Sequence, residues 1–380
     1  MRPHQIIINP DLAVGPDNKQ RWNQPAHRRH GFHNAHNLFR RSKMVRSRNV
    51  LVLEPASKQL TQQVPELNDL LDHSAFSAFC CLRAGQILME VAASDFSVTQ
   101  PHSIQSVTKL HIHIIIGKLL KQGLLSLDAK VSKYLPDIGS GYRDATIQAL
   151  LDMAVTNDFT EDYDDPNADC YNEEIALGWR LPEQGQEEVT LQAFVSSVSG
   201  FTPSKDRKEA EYKSANTDVL TLIAAKVSPI PLMIQVEQIA DAIGYEGAFH
   251  ISSSKDGHPA FSGGGCLSAR DLARLGLFFI RGGRDLFGQE VGNERFLDDS
   301  FIRSAPKLTS PKDWLRYSNQ TMTDGHVMGH AGYGGQFLMF NMTTGISCAF
   351  LSVLENDSGY DDAYMNKLAR VLRLICCNVG

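Results

Sequence analysis

The β-rich segments of this chain lie towards its two ends, and helical patterns fill the stretch between them. Ala78-Phe79-Cys80-Cys81-Leu82 and Ile87-Leu88-Met89-Glu90-Val91 are apolar runs joined by Arg83-Ala84-Gly85-Gln86, which predicts a β-hairpin. Ahead of it, 66–73 reads as a helix and Val50-Leu51-Val52-Leu53 as a short strand. Strands return at 336–341 and 346–354, joined by Met342-Thr343-Thr344-Gly345, and a helix over 361–377 closes the chain. The segment 267–280 is an amphipathic helix, with Arg270, Asp271 and Arg274 opposite Leu272, Leu275 and Phe279. In the middle, 147–153, 191–198 and 217–227 are helical, separated by polar loops containing Pro and Gly. This order predicts an α+β fold: an antiparallel sheet flanked by helices, built from both ends of the chain and interrupted by an all-α subdomain. The expected partition is an extended, polar N-terminal arm over 1–45, a discontinuous α/β domain over 46–125 and 255–380, and a mainly helical subdomain over 126–254.

Ser106-Val107-Thr108-Lys109 sits where the extended stretch Gln100-Pro101-His102-Ser103 gives way to an apolar run over 110–120. A helix starting here and stopping at Gly123 puts Ser106 and Lys109 on one face within hydrogen-bond reach. A serine hydroxyl is a poor nucleophile until a neighbouring base takes its proton. A lysine amine serves as that base when burial lowers its pKa. The unpaired N–H groups of a helix start favour developing negative charge. The plainer reading is an ordinary helix-start serine. Ser-x-x-Lys also occurs at Ser252/Lys255 and Ser304/Lys307, but neither opens an apolar helix.

With 380 residues, 42% apolar and 21% charged, the chain has the composition of a soluble globular protein of about two domains. A net charge of −6 gives no general attraction to nucleic acid or anionic membranes. The apolar run at 110–120 carries His111, His113 and Lys118 and is too short to span a bilayer. The N-terminal stretch Met1-Arg2-Pro3-His4-Gln5-Ile6-Ile7-Ile8-Asn9-Pro10 has no signal-length apolar core. Seven cysteines, with adjacent pairs at Cys80-Cys81 and Cys376-Cys377, read as reduced, buried thiols. A cytoplasmic protein is the simplest expectation. His27, His30, His33 and His36 recur every third residue, yet Gly31 and Phe32 argue against a regular helix, and no metal or other cofactor is expected. HExxH, Walker, GxGxxG and GxSxG patterns are all absent. The acidic segment 158–190, with Asp158, Glu161, Asp162, Asp164, Asp165, Asp169, Glu173 and Glu174, reads as a long functional loop.

Two later elements accompany Ser106: Glu211-Tyr212-Lys213-Ser214-Ala215-Asn216-Thr217 before an apolar helix, and Gly329-His330-Ala331-Gly332-Tyr333-Gly334-Gly335-Gln336 before a strand. Together they resemble the serine β-lactamase-like superfamily, in its class C β-lactamase, DD-peptidase and esterase branch. There Ser-x-x-Lys is followed by Tyr-x-Asn/Ser and Lys/His-x-Gly, matched here by Ser106/Lys109, Tyr212/Ser214 and His330/Gly332 in that order. Phrases around Asp162-Tyr163-Asp164-Asp165-Pro166, Gly178-Trp179-Arg180 and Ala269-Arg270-Asp271-Leu272-Ala273-Arg274 are similar to those of 6-aminohexanoate-dimer (nylon oligomer) hydrolases. The likeness spans roughly 22–375.

The resemblance implies a β-lactamase/DD-peptidase-like fold and a serine hydrolase acting on a small ester or amide. Ser106 would form an acyl-enzyme, and Lys109 and Tyr212 would share the general-base work. The N–H groups of Ser106 and Tyr333 would make the oxyanion hole, Ser214 would orient Lys109 or the substrate, and Tyr163 and Glu174 would meet the substrate, Glu174 at its amino end. His330 stands where β-lactamases carry lysine, which weakens recognition of a substrate carboxylate. The alternatives are β-lactamase or D-amino-acid peptidase activity, or a non-catalytic ligand-binding relative. The partner implied is a small molecule, not nucleic acid or membrane, with a homodimer left open.

Overall fold

Strand pairing joins the two ends of the chain in a computed structural model, which describes residues 18–56, 58, 60–202 and 208–379. The strands are β1 (Ser42–Arg46), β2 (Glu54–Pro55), β3 (Phe76–Arg83), β4 (Gln86–Ala92), β5 (His102–Ser103) and β6 (Ala248–Ser252). They continue as β7 (Gly265–Leu267), β8 (Arg316–Ser318), β9 (Thr321–Thr323), β10 (Met328–Gly332), β11 (Gln336–Asn341) and β12 (Ile346–Ser352). The larger sheet runs β2-β4-β3-β12-β11-β10-β9-β8, so the early hairpin pairs with the last strand. All its pairs are antiparallel except β2 with β4. A smaller antiparallel sheet runs β1-β6-β7-β5.

The early helices are α1 (Asn18–Trp22), α2 (Pro25–Leu38), α3 (Leu60–Gln63), α4 (Glu66–Leu71) and α5 (Lys109–Lys121). The middle ones are α6 (Ile147–Leu151), α7 (Cys170–Ala176), α8 (Leu191–Ser197), α9 (Ser214–Val227) and α10 (Leu232–Ile243), and α11 (Ala269–Ile280), α12 (Glu294–Ile302) and α13 (Asp362–Asn378) follow. The central strands read as unbroken apolar runs because both faces are covered. Ala78, Cys80, Leu82, Leu338, Phe340 and Leu351 face a core that includes Leu272, Leu275 and Phe279 of α11. Their neighbours Phe79, Cys81, Phe337, Met339 and Phe350 face Leu368, Leu372 and Ile375 of α13. The α+β expectation holds, and all seven cysteines are free. Among the described residues no single helix is long and apolar enough to cross a membrane.

Several local expectations are corrected. Residues 1–17 of the expected arm lie outside the described residues, and most of the rest is helical rather than extended, as α1 and α2, with β1 the only extended element among the described residues of the arm. Pro25 opens α2 at a position where proline lacks no hydrogen bond, and Gly31 lets the helix pack on Trp22, where an added Cβ would lie 2.6 Å from the Trp22 carbonyl oxygen. The four histidines therefore are helical, but each three-residue step turns them by about −60°, so His27 and His36 point in opposite directions. His33 Nε2 meets Ser77 Oγ at 2.9 Å, and His36 packs against His250. Among the described residues no group of three His, Cys, Asp or Glu is placed to hold a metal.

The strand expected at 50–53 is displaced to β2, leaving Val50 and Val52 exposed while Leu51 and Leu53 pack on the core. The acidic segment 158–190 is not structureless, because α7 lies within it. Asp271 and Arg274 of α11 are buried rather than solvated, joined to each other at 3.0 Å. The polar surprises of α5 are resolved in the same way. His111 reaches Thr108 O and Tyr245 Oη, His113 reaches Asn319 O at 2.7 Å, and burial holds both near pKa 4, uncharged at neutral pH.

Candidate active site

Ser106 does not begin the α-helix; it lies in a 3₁₀ turn over Gln105–Thr108, and α5 starts at Lys109. In such a turn residues i and i+3 eclipse, which brings the two side chains together as the spacing predicts. Lys109 Nζ donates to Ser106 Oγ at 3.0 Å. It also donates to Ser214 Oγ at 3.0 Å and to the Ser262 carbonyl at 2.5 Å. Its ammonium end lies 5.0 Å from the centre of the Tyr212 ring. The residue before the nucleophile, Gln105, has φ +47°, a left-handed conformation that costs a non-glycine residue about 1–3 kcal/mol. Thr108 Oγ1 ties its carbonyl at 2.6 Å and in turn accepts from Gly265 N at 3.0 Å, so β7 braces the strained turn.

Burial lowers the pKa of Lys109, opposed by the negative charges of Glu161, Glu173 and Asp218. Burial and then Glu161 push the Tyr212 phenol well above its usual range, with contacts to Ser106 and Ser214 acting the other way. The neutral phenol is therefore the resting form of Tyr212, and Lys109 is the group that burial draws towards a proton-accepting state.

Ser106, Tyr163, Glu174, Ser214 and Tyr333 line one cavity with a free volume of about 40 Å³. Tyr163 donates to Glu161 at 2.7 Å and its ring packs 4.9 Å from that of Tyr333. Among the described residues neither the Ser106 nor the Tyr333 backbone N–H has an acceptor. Tyr333 is fixed by its hydroxyl, which donates to Ser358 O at 2.7 Å, and by Asn23, which donates to that hydroxyl at 3.4 Å. Arg28 clamps the same turn, donating to Leu354 O at 2.8 Å, Asn356 O at 2.5 Å and Asp357 O at 3.1 Å.

His330 and Gly332 stand behind this cavity rather than in its wall. His330 Nδ1 meets Ala331 O at 2.5 Å and Nε2 meets Tyr317 Oη at 2.9 Å, a pattern satisfied by a neutral ring that donates from Nδ1. Burial, with Lys109 nearby, lowers its pKa to about 3. Gly332 admits the chain's own backbone rather than a ligand: a Cβ there would lie 2.6 Å from Ile104 O, just ahead of the nucleophile turn. The rival motifs form no such site. Ser252 is buried and accepts from Trp179 at 2.7 Å while Lys255 is exposed and bonds Glu188 O, and Ser304 and Lys307 are both exposed.

Four contributors carry no short-range signal beyond membership of a charged or glycine-rich run. Glu161 accepts from Ser214 N at 2.5 Å and from Ser214 Oγ at 2.8 Å, locking the start of α9. Ser262, ahead of Gly263-Gly264-Gly265, supplies the carbonyl that receives Lys109. Glu173 and Asp218 are buried and face each other, with Glu173 Oε1 and both Asp218 oxygens lacking a donor. Burial and then the neighbouring Asp218 drive Glu173 well above its ordinary range, while burial, with Glu161 nearby, raises Asp218 from 3.8 to about 6 against the opposing hydrogen bond to Glu173. The folded state thus binds the Asp218 proton more tightly than the unfolded state does. Its stabilisation is present below the ordinary aspartate pKa and is lost as pH rises through about 6. Asp218→Asn is expected to flatten the dependence of melting temperature on pH between about 4 and about 6. Scanning fluorimetry across that window checks this, and an unchanged slope would show that the pair shares no proton.

The sequence profile of the beta-lactamase family matches residues 78–370, a span that holds Ser106, Lys109, Tyr212 and most of the large sheet. The chain belongs to the beta-lactamase family. It is 26% identical over 351 residues to the 6-aminohexanoate-dimer hydrolase of Paenarthrobacter ureafaciens, covering 88% of each chain. Its fold is similar to that of a provisionally named 6-aminohexanoate-dimer hydrolase from Bacillus anthracis, at TM-score 0.80 and 17% identity, covering 97% of this chain and 98% of the other. A D-stereospecific amidohydrolase from Streptomyces sp. matches at TM-score 0.57 and 17% identity, over 84% and 98% of the respective chains. The chain is therefore a beta-lactamase-related enzyme of the serine hydrolase type, with the α+β architecture of its structural neighbours.

Proposed function

We propose that this chain hydrolyses small carboxylic esters or amides through an acyl-enzyme on Ser106. The observation that carries the reading is the 3.0 Å contact between Lys109 Nζ and Ser106 Oγ at a lysine with no solvent exposure. Lys109, in its neutral form, takes the hydroxyl proton as Ser106 attacks, and Tyr212, held beside Ser106 and Ser214, gives its phenolic proton to the leaving group and recovers one from Lys109. The unpaired N–H groups of Ser106 and Tyr333 receive the oxyanion. Ser214 and the Ser262 carbonyl keep Lys109 aimed at the nucleophile. Tyr163 and Glu174 meet the acyl part, while His330 and Gly332 back the Tyr212 side of the site, with His330 6.3 Å from Tyr212 ring to ring.

The name of the Paenarthrobacter relative, with the sequence likeness around Tyr163 and Trp179, supports a linear acyl chain over a bicyclic antibiotic. The neutral His330 points the same way, since it offers no cation to a β-lactam carboxylate. A panel of p-nitrophenyl acyl esters, linear and cyclic amides and a cephalosporin tests the reading. Turnover of esters or amides with a fluorophosphonate adduct on Ser106 is expected. Preference for the cephalosporin would favour the β-lactamase alternative, and no adduct with any probe would favour a binding role.

A further inference from the structure

Lys19 of α1 enters the cavity that holds Ser106. Its backbone N–H is anchored on Trp179 O at 3.0 Å, and its ammonium sits 4.6 Å from the centre of the Trp179 ring. The ammonium forms an ion pair with Glu174, whose other oxygen accepts from Arg180 at 3.2 Å. Lys19 and Glu174 are each only 5% exposed, so little water screens the pair. Two cations thus satisfy the one carboxylate of Glu174. Glu174 is already engaged on both oxygens, so a substrate group that extends to it has to displace the Lys19 side chain, a flexible four-carbon stem.

We propose that Lys19 is a specificity-determining residue that occupies Glu174 in place of a substrate ammonium and selects acyl groups that are neutral or anionic at their far end. An incoming amine has to break the Lys19–Glu174 pair and then lie beside both displaced Lys19 and Arg180, a like-charge arrangement that acts against the wrong substrate. A neutral chain can push the lysine stem aside while the ammonium keeps its partner. This reverses the contact with a substrate's amino end that the resemblance implies for Glu174, and it rests on the ester or amide reading of the site.

The test measures binding and turnover separately. 6-Aminohexanamide and heptanamide, which differ in a charged against an apolar end, are titrated calorimetrically into the wild-type chain, Lys19→Met and Lys19→Gln. Their p-nitrophenyl ester counterparts are assayed in parallel. In the wild type the neutral probe is expected to bind more tightly. Both Lys19 variants should move the amine-to-neutral affinity ratio towards the amine by about tenfold, equivalent to ~1.4 kcal/mol, and adding Glu174→Gln to either should cancel that gain. A wild-type preference for the amine, or a ratio unmoved in both variants, overturns the role of Lys19. Two Lys19 replacements of different polarity separate a charge effect from a folding defect, which circular dichroism reads directly. Absence of ester turnover alongside a shifted binding ratio would instead overturn the hydrolase reading and leave Lys19 as the selector of a binding site.

Discussion

Ser106→Ala is expected to abolish fluorophosphonate labelling and to lower ester or amide turnover by at least about 10³-fold. The hydroxyl is the only group on Ser106 that the substitution removes, and its partners in the fold are Lys109 at 3.0 Å, Tyr212, and a long 3.4 Å contact to Ser262 O. Lys109 keeps Ser214 and the Ser262 carbonyl after the change, so no buried charge is orphaned. Melting temperature should accordingly move by no more than about 3 °C. Activity above a few per cent of wild type, or a surviving adduct at Ser252 or Ser304, would place the nucleophile elsewhere.

The second large effect is a failure of additivity. Lys109→Met and Tyr212→Phe should each slow acylation by about 10²–10⁴-fold, the usual scale for a lost proton-transfer group. Combined, they should cost far less than the product, because the lysine that accepts the proton and the phenol that delivers it act on one proton. Single-turnover acylation of a p-nitrophenyl ester measures all three variants. Fully multiplicative losses would mean separate roles. Lys109→Met also removes the amine near Glu161, Glu173 and Asp218, so its thermal stability should fall most at a pH above about 6, where Asp218 is ionised. Folding has to be confirmed for it independently, and Tyr212→Phe carries no such burden.

The parts of the fold that could be read from the sequence are those where burial is apolar. β3, β4, β11 and β12 announce themselves because both faces of each strand are covered by hydrocarbon. α13 does so through one buried stripe, and α9 and α11, buried almost all round, through their apolar runs. α2 was hidden because the buried residues of that helix include Arg28 and His33, whose polarity is satisfied by carbonyls and by Ser77 far along the chain. α7 was hidden for a related reason: its buried residues include Glu173 and Glu174, and their partners are Asp218, Lys19 and Arg180. The same division runs through the site. Ser106 and Lys109 share one turn, and Tyr212 and Ser214 open one helix, so spacing and order reveal them. Glu161, Ser262 and Lys19 reach the site only through contacts separated by 53, 153 and 155 positions, respectively, and no local period encodes such a meeting.

The Arg28 clamp has an evolutionary consequence. It fastens α2 to the 354–357 turn, and Tyr333 hangs from Ser358 immediately beyond, so the first helices and one wall of the cavity move as a unit. The span that matches the family, 78–370, contains the proposed proton-transfer residues Ser106, Lys109 and Tyr212 but not Lys19, Asn23 or Arg28. If Lys19 selects the substrate as proposed, one determinant of that choice lies outside the stretch that carries the proton-transfer residues. A lineage could exchange the leading helices, by drift or by recombination, and acquire a new diet without touching the residues that cut.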